Sequence, residues 1–213
     1  MRISTDRTTR ITVLISLAFV LKAVSSCIQP VFDFNFDFNK IAVTNLDNSA
    51  VYVMQNYRDT MYSSAIAFEV TLSDDDFLAA GIVPKAETAF PGFTPATAMS
   101  PEPLYHPRHH ITALRIVTLE EVSPAIPAGS DVTGLFVAYV PRYSESAFLY
   151  INTDELLKMI NRDFYPGEPS VSFQLFCKQD ITATRAQFAI TVTLSDESTL
   201  TAQTGTVTLV RSR

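Results

Sequence analysis

All three histidines of the chain fall in one stretch, Tyr105-His106-Pro107-Arg108-His109-His110. Imidazoles are the commonest metal ligands, so His106, His109 and His110, with the Glu102 carboxylate just before them, define a candidate site for zinc or another transition metal. Three features weigh against it. The spacing matches no established ligand pattern, Arg108 adds like charge, and His109 and His110 would point to opposite faces if they open a strand. The simpler reading is a set of polar loop residues.

Two acidic groups invite similar questions. Asp74-Asp75-Asp76 could hold calcium, but it lacks the alternation and the glycine of an EF-hand loop. A helical turn opening at Ser73 explains it more simply, with the serine capping and the aspartates complementing the helix dipole. Glu120-Glu121 could supply paired carboxylates for glycoside hydrolysis. Adjacent residues at a strand end diverge, however, and no partner lies at the required separation. The sequence contains no nucleophile elbow, no HExxH and no glycine-rich phosphate loop, and it has six glycines in all. The expectation is a protein that is not an enzyme and carries no metal or other cofactor.

The most informative chemistry lies near the N-terminus. Arg2, Arg7 and Arg10 precede an apolar run from Ile11 to Leu21, followed by small residues. This is the layout of a secretory signal. At 1.5 Å per residue, a bilayer-spanning helix needs roughly 20 apolar residues, which this run does not reach. Val24-Ser25-Ser26-Cys27 then resembles the lipobox of bacterial lipoproteins. That resemblance implies removal of residues 1–26 and a diacylglycerol on the Cys27 thiol, usually with a further acyl chain on its amine. Two or more chains hold a protein stably at a membrane surface, at about 0.8 kcal/mol per buried CH₂. The only other cysteine is Cys177, within Val171-Ser172-Phe173-Gln174-Leu175-Phe176-Cys177. It reads as a buried free thiol; a Cys27–Cys177 disulfide in an ordinary secreted protein is the alternative.

Without residues 1–26, the chain's 16 basic and 22 acidic side chains become 12 and 21, a formal charge of −9. Such a balance opposes binding to nucleic acid or to anionic surfaces, which requires clustered Lys and Arg. Tryptophan is absent, whereas Phe (15) and Tyr (8) are plentiful enough to build a core.

The elements that must position these residues are mostly strands. Phe32, Phe34, Phe36 and Phe38 alternate with Asp and Asn, the period of a strand with one apolar face. At Asn39-Lys40 the phase slips, which predicts a bulge or bend. Ile66, Phe68, Val70 and Leu72 share one face of a second strand. Phe188, Ile190, Val192 and Leu194 do the same in a third. The run 111–119 is apolar on both faces and reads as a central strand. Further strands are expected over 50–57, 131–140, 147–151, 170–178 and 199–210, with Ser195-Asp196-Glu197-Ser198 turning a terminal hairpin. Asn152 and Glu155 form a capping-box-like start to one helix whose apolar face is Leu156, Leu157 and Ile160. Residues 81–110 hold six of the twelve prolines and read as a long loop.

The expected fold is therefore all-β: an immunoglobulin-like β-sandwich with one short helix and a long Pro-rich loop. The domain plan is a signal over 1–26, a lipidated cysteine and short tether over 27–31, and a single sandwich over 32–213. Taken as a whole, the lipobox, the Phe/Asp/Asn alternation after it and the terminal hairpin resemble small uncharacterised lipoproteins of Bacteroidota. This resemblance implies the outer membrane, because Ile28 is not the aspartate that retains lipoproteins at the inner membrane in enteric bacteria. The function expected is a non-catalytic binding or structural module. Its partners would be the membrane, through the lipid, and another envelope protein reached through the 81–110 loop; nucleic acid is not among them. Glycan binding through Tyr105, Tyr143 and Tyr165, as an accessory of nutrient uptake, is the first alternative. Metal binding in the periplasm through the 106–110 histidines is the second.

Overall fold

A computed structural model describes residues 11–14, 16–17, 33–50, 53–56, 58–79, 102–141 and 150–211. Val24, Ser25, Ser26 and Cys27, the 81–101 part of the loop, and Tyr143 lie outside the described residues. In chain order the strands and helices are β1 (Asp33–Phe36), β2 (Lys40–Asp47), β3 (Met54–Gln55), β4 (Thr60–Tyr62), β5 (Ile66–Ser73) and α1 (Asp75–Ala79). Then come β6 (Leu104–Pro107), β7 (Ile111–Thr118), a 3-10 turn (Thr133–Leu135), β8 (Phe136–Tyr139) and α2 (Thr153–Ile160). The chain finishes with β9 (Tyr165–Pro166), β10 (Ser170–Cys177), β11 (Arg185–Ala186), β12 (Phe188–Leu194), β13 (Thr199–Gln203) and β14 (Val207–Val210).

Two antiparallel sheets face each other across the core, one ordered β3-β2-β5-β10-β8 and the other β13-β12-β7. The fold is thus an all-β sandwich, as the alternation predicts. Ile66, Phe68, Val70 and Leu72 of β5 are no more than 1 % exposed, and Phe188, Ile190 and Val192 of β12 are equally buried. Rings close the space between the sheets: Phe68 and Phe136 from one meet Phe188 from the other at centroid distances of 5.3 and 5.6 Å. Each fully buried side chain of this kind contributes about 1.5–3 kcal/mol through loss of apolar surface from water. Two three-stranded sheets flank the sandwich, β1-β6-β9 and β11-β14-β4, and each contains one parallel pair.

The phase slip at Asn39-Lys40 marks a change of sheet. β1 ends at Phe36, and β2 restarts at Lys40 alongside β5. Phe36 and Phe38 are buried, as a core stripe requires, and Phe34 is half-buried. The helix expected at Asn152 also forms: the Asn152 carbonyl oxygen of the side chain accepts from Glu155 N at 2.8 Å, and Leu156 and Ile160 are fully buried.

Several expectations need correction. The 81–110 loop is not strandless, because Leu104–Pro107 pairs in parallel with β1 and antiparallel with β9. Two partners rescue a segment that carries Pro at its end, where no ladder donor is needed. β7 is an outer strand of its sheet rather than a central one: Thr112, Ala113 and Arg115 are exposed. Its far edge is met by residues 130–132, with Thr118 N donating to Ser130 O and Val132 N to Ile116 O. Residues 199–210 form two strands, β13 and β14, in different sheets. The 50–57 segment yields only the short β3, and 131–140 opens with the 3-10 turn before β8. Asp74, not Ser73, caps α1, accepting from Phe77 N at 3.0 Å.

Candidate functional site

The histidines are taken apart by the fold. His106 lies on β6, opposite Asn35 of β1. Its Nδ1 is 2.9 Å from the Asp163 carbonyl oxygen, and its Nε2 is 3.3 Å from Asp33 Oδ1. His109 instead faces the turn of the β12–β13 hairpin, with Nε2 3.8 Å from Asp196 Oδ2. Hydrogen bonds from Ser198, led by its hydroxyl, and the neighbouring His109 hold the Asp196 carboxyl below the usual carboxylate range. The His110 side chain is exposed, and its backbone carbonyl accepts from Ser195 N at 2.8 Å. Glu102 is exposed. Among the described residues no three His, Cys, Asp or Glu side chains gather closely enough to hold a metal ion. These histidines fasten loops to strands, and the metal reading has no geometric support.

Two of the three tyrosines proposed to meet a ligand are core residues, which corrects that expectation. Tyr105 is 6 % exposed and Tyr165 is 1 % exposed. Alternation along β6 and β9 turns both inward, where they join Phe34, Phe36, Phe38 and Phe77. The Tyr165 hydroxyl donates to the Ile160 carbonyl at the end of α2. Burial, and then the Glu168 carboxylate, push the Tyr105 phenol above its ordinary value. Neither ring can stack on a sugar from inside the protein.

The aspartates next to this aromatic cluster are structural. Asp74 is buried and gathers Asp37 N at 3.1 Å, Asn39 Nδ2 at 3.1 Å and Phe77 N at 3.0 Å. Asp76 shares the Asn39 amide, and Asp75 pairs with Lys40 Nζ at 2.6 Å. Arg108 donates to Asp37 Oδ2 at 2.8 Å, and both line a shallow depression of about 610 Å³ with Asn39, Asp74, Asp76 and Phe77. Asp74, Asp75 and Asp76 each accept hydrogen bonds in the junction between β1, β2 and α1, whereas Asp37 Oδ1 is buried without a partner.

Among the described residues, a second concave surface lies where two sheet edges meet. β3 ends the five-stranded sheet and β4 ends the β11-β14-β4 sheet. Between them is a groove of about 390 Å³ lined by Asp47, Met54, Gln55, Asn56, Arg58 and Thr60, with Met61, Tyr62 and Val210 as its apolar side. The parallel pairing of β4 with β14 places Tyr62 beside Val210 and Met61 beside Leu209. Alternation then sends Met61 and Leu209 into the core and leaves Tyr62 and Val210 facing out. Met54 is 63 % exposed, Tyr62 43 % and Val210 39 %, three large apolar side chains around one groove. Asn56 ties its floor together, donating from its backbone to Asn45 O at 2.8 Å and from its amide to Thr60 O at 3.1 Å.

An apolar centre with a polar rim is what a partner's side chain or extended segment would require. The lining offers the Asp47 carboxylate, the Arg58 guanidinium and the hydroxyls of Thr60 and Tyr62 as its polar groups. Sequence reasoning missed this site because its apolar members come from positions 54, 62 and 210. The only local signal was an apolar residue on the outward phase of a strand, at Tyr62 beside the inward Met61.

No protein-family model matches the chain, and no curated protein matches it. Among solved structures, it aligns with the C-terminal domain of the Streptococcus agalactiae AgI/II polypeptide BspA at 12 % identity and a TM-score of 0.24, covering 80 % of this chain and 49 % of that one. It also aligns with the full-length major pilin SpaD of Corynebacterium diphtheriae at 10 % identity and a TM-score of 0.24, covering 78 % and 35 %. The chain thus spans half or less of these structures. Alignments at this level establish no common fold, and the sandwich assignment rests on the sheets themselves.

Proposed function

We propose that this chain is a cell-envelope lipoprotein whose β-sandwich is a non-catalytic binding module for another envelope protein. Residues 1–26 direct export, Cys27 carries the lipid, and the outer membrane is the destination. Support for the export segment comes from its described part. Residues 11–14 and 16–17 are helical, and Ile11, Val13, Leu14 and Leu17 are 54–64 % exposed, whereas a core helix would bury them. No helix among the described residues is long and apolar enough to cross a membrane.

The observation that carries the binding reading is the groove between β3 and β4, where Met54 and Tyr62 on two edge strands and Val210 at the end of β14 leave apolar surface in water. An unfilled apolar surface of this kind gains free energy when a partner covers it. A photo-crosslinking residue at Met54, activated in intact cells, should yield a discrete adduct with an envelope protein, and Tyr62→Glu should abolish it. Absence of an adduct, or equal yield from a crosslinker at Lys178, the residue after β10, would overturn the groove as the contact site.

A further inference from the structure

Asp33, the first described residue of the sandwich, opens β1 in the β1-β6-β9 sheet. Register pairs Asp33 with Leu104 and Leu104 with Pro166, so these three form the sheet's first rung. Alternation turns Phe34, Tyr105 and Tyr165 toward the core and Asp33, Asn35, Leu104, His106 and Pro166 to the other face, where Asp33 and Asn35 are exposed and the other three half-buried. Phe164, just before β9, is 44 % exposed, and its ring centroid is 6.2 Å from that of His106. His106 in turn bridges the Asp163 carbonyl and the Asp33 carboxylate. The exposed Phe164 ring is therefore fastened beside the residue at which the chain enters.

We propose that this face, with Phe164 at its apolar crest and Leu104 and Pro166 beside it, rests on the bilayer surface and orients the domain. The inference builds on the lipid-anchor reading of Cys27. Six residue steps separate Cys27 from Asp33, and a fully extended chain covers at most about 3.5 Å per step. Asp33 thus stays within about 20 Å of the lipid attachment whatever path residues 28–32 take. The rung at Asp33 therefore stays within that distance of the anchored cysteine. A formal charge of −9 on residues 27–213 gives the domain no net attraction to an anionic surface, and the proposed contact relies on apolar groups. A large apolar ring on the membrane-proximal face supplies that contact.

The absence of tryptophan makes the test direct. Full-length lipidated protein carrying Phe164→Trp, and a second carrying Tyr62→Trp, would be reconstituted into phosphatidylcholine vesicles with and without brominated acyl chains. Co-flotation with the vesicles is scored first. Both proteins should float, Trp at 164 should shift to the blue and lose emission to the brominated lipid, and Trp at 62 should do neither. Flotation with no quenching at 164, or equal quenching at both positions, would overturn the seating face and leave the anchor intact. Failure to float would overturn the anchor reading and the seating face with it.

Discussion

The side chain of Asn161 behaves as a strand partner for Ile111. Its Oδ1 accepts from Ile111 N at 2.8 Å, and its Nδ2 donates to Ile111 O at 2.6 Å. Asn161 is also the residue that ends α2, with its own N–H donating to Leu157 O at 3.1 Å. One amide therefore joins the end of the helix to the start of an outer strand and satisfies backbone groups that neighbouring strands leave open. Ile111 itself is 2 % exposed, so water cannot easily replace these bonds.

Replacing Asn161 with alanine should destabilise the fold by about 1–3 kcal/mol, since two partly buried backbone groups lose their partners. Asn161→Asp keeps the acceptor and removes the donor, so its effect should be distinct and centred on Ile111 O. Urea denaturation followed by circular dichroism measures both. A loss below a few tenths of a kcal/mol for alanine would show that water takes over the two contacts.

Asp74 organises the junction of β1, β2 and α1 through three accepted hydrogen bonds while only 7 % exposed. Asp74→Ala should cost about 2–3 kcal/mol, because charge-assisted bonds to backbone donors are lost at a buried position. The damage should be local first. Amide exchange at Asp37 and Phe77 is expected to accelerate before that of the β5 and β12 cores.

Asp131 links three elements at the outer edge of β7. Its Oδ1 accepts from Thr133 N at 3.0 Å and from the Thr133 hydroxyl at 2.7 Å, and its Oδ2 accepts from Arg115 Nε at 3.0 Å. These bonds, led by the Thr133 backbone N–H, hold the Asp131 carboxyl below its ordinary 3.8. A lowered carboxylate value favours the folded state above the ordinary value, and the benefit fades as pH falls through the folded one. Carbon-detected NMR titration should place Asp131 below 3.8, and Thr133→Ala should move it back up. The Thr133 hydroxyl also accepts from Ile116 N at 2.8 Å, so acidification should expose the Ile116 amide to exchange.

Cys177 is a free thiol at the end of β10, its Sγ donating to Gln179 O at 3.3 Å. Burial, and then the Asp180 carboxylate, push the thiol up from its ordinary 9.0. The thiolate is the nucleophile, so alkylation by iodoacetamide near neutral pH should be slow in the folded protein and rise to the free-cysteine rate in urea. The raised value also means that the thiol's contribution to stability is complete below pH 9.0 and fades as pH climbs through the folded value. The side chain is half-buried rather than fully buried, and labelling of the native protein at the free-cysteine rate would contradict the raised thiol value.

The facing rings at the centre of the sandwich predict the largest effect. Phe188 is 1 % exposed and touches both Phe68 and Phe136. Phe188→Ala should cost about 3–5 kcal/mol, through lost transfer energy and the cavity left between the sheets. Calorimetry or denaturant unfolding reads that loss directly.

The parts legible in the sequence are those carried by short-range pattern. Period-two alternation marked β5 and β12 residue by residue, because successive strand side chains must point to opposite faces. The Asn152 cap and the apolar face of α2 were legible for the same reason: a helix start and its buried stripe lie within one or two turns. The aromatic stripe of β1 was identified as core, and the break at Asn39-Lys40 was visible.

Pairing was not legible, because hydrogen-bonded neighbours in a sheet are chosen by contacts far apart in the chain. Nothing local to Leu104–Pro107 shows that β1 and β9 lie on either side of it, so a proline-rich stretch reads as loop. The same non-locality dispersed the histidines: His106 follows β6 to Asp33, while His109 meets a hairpin turn that lies 87 residues later at Asp196. Tyr105 and Tyr165 looked available until strand phase turned both inward. The exposed groove existed only once β4 and β14 had aligned Tyr62 with Val210 and β3 had brought Met54 beside them. The sequence by itself determined the strands whose alternation is regular, such as β5 and β12, and which of their faces are apolar. The tertiary structure alone decided which edges stay open and which side chains meet there, because burial and adjacency are properties of the packed sheets and not of any single strand.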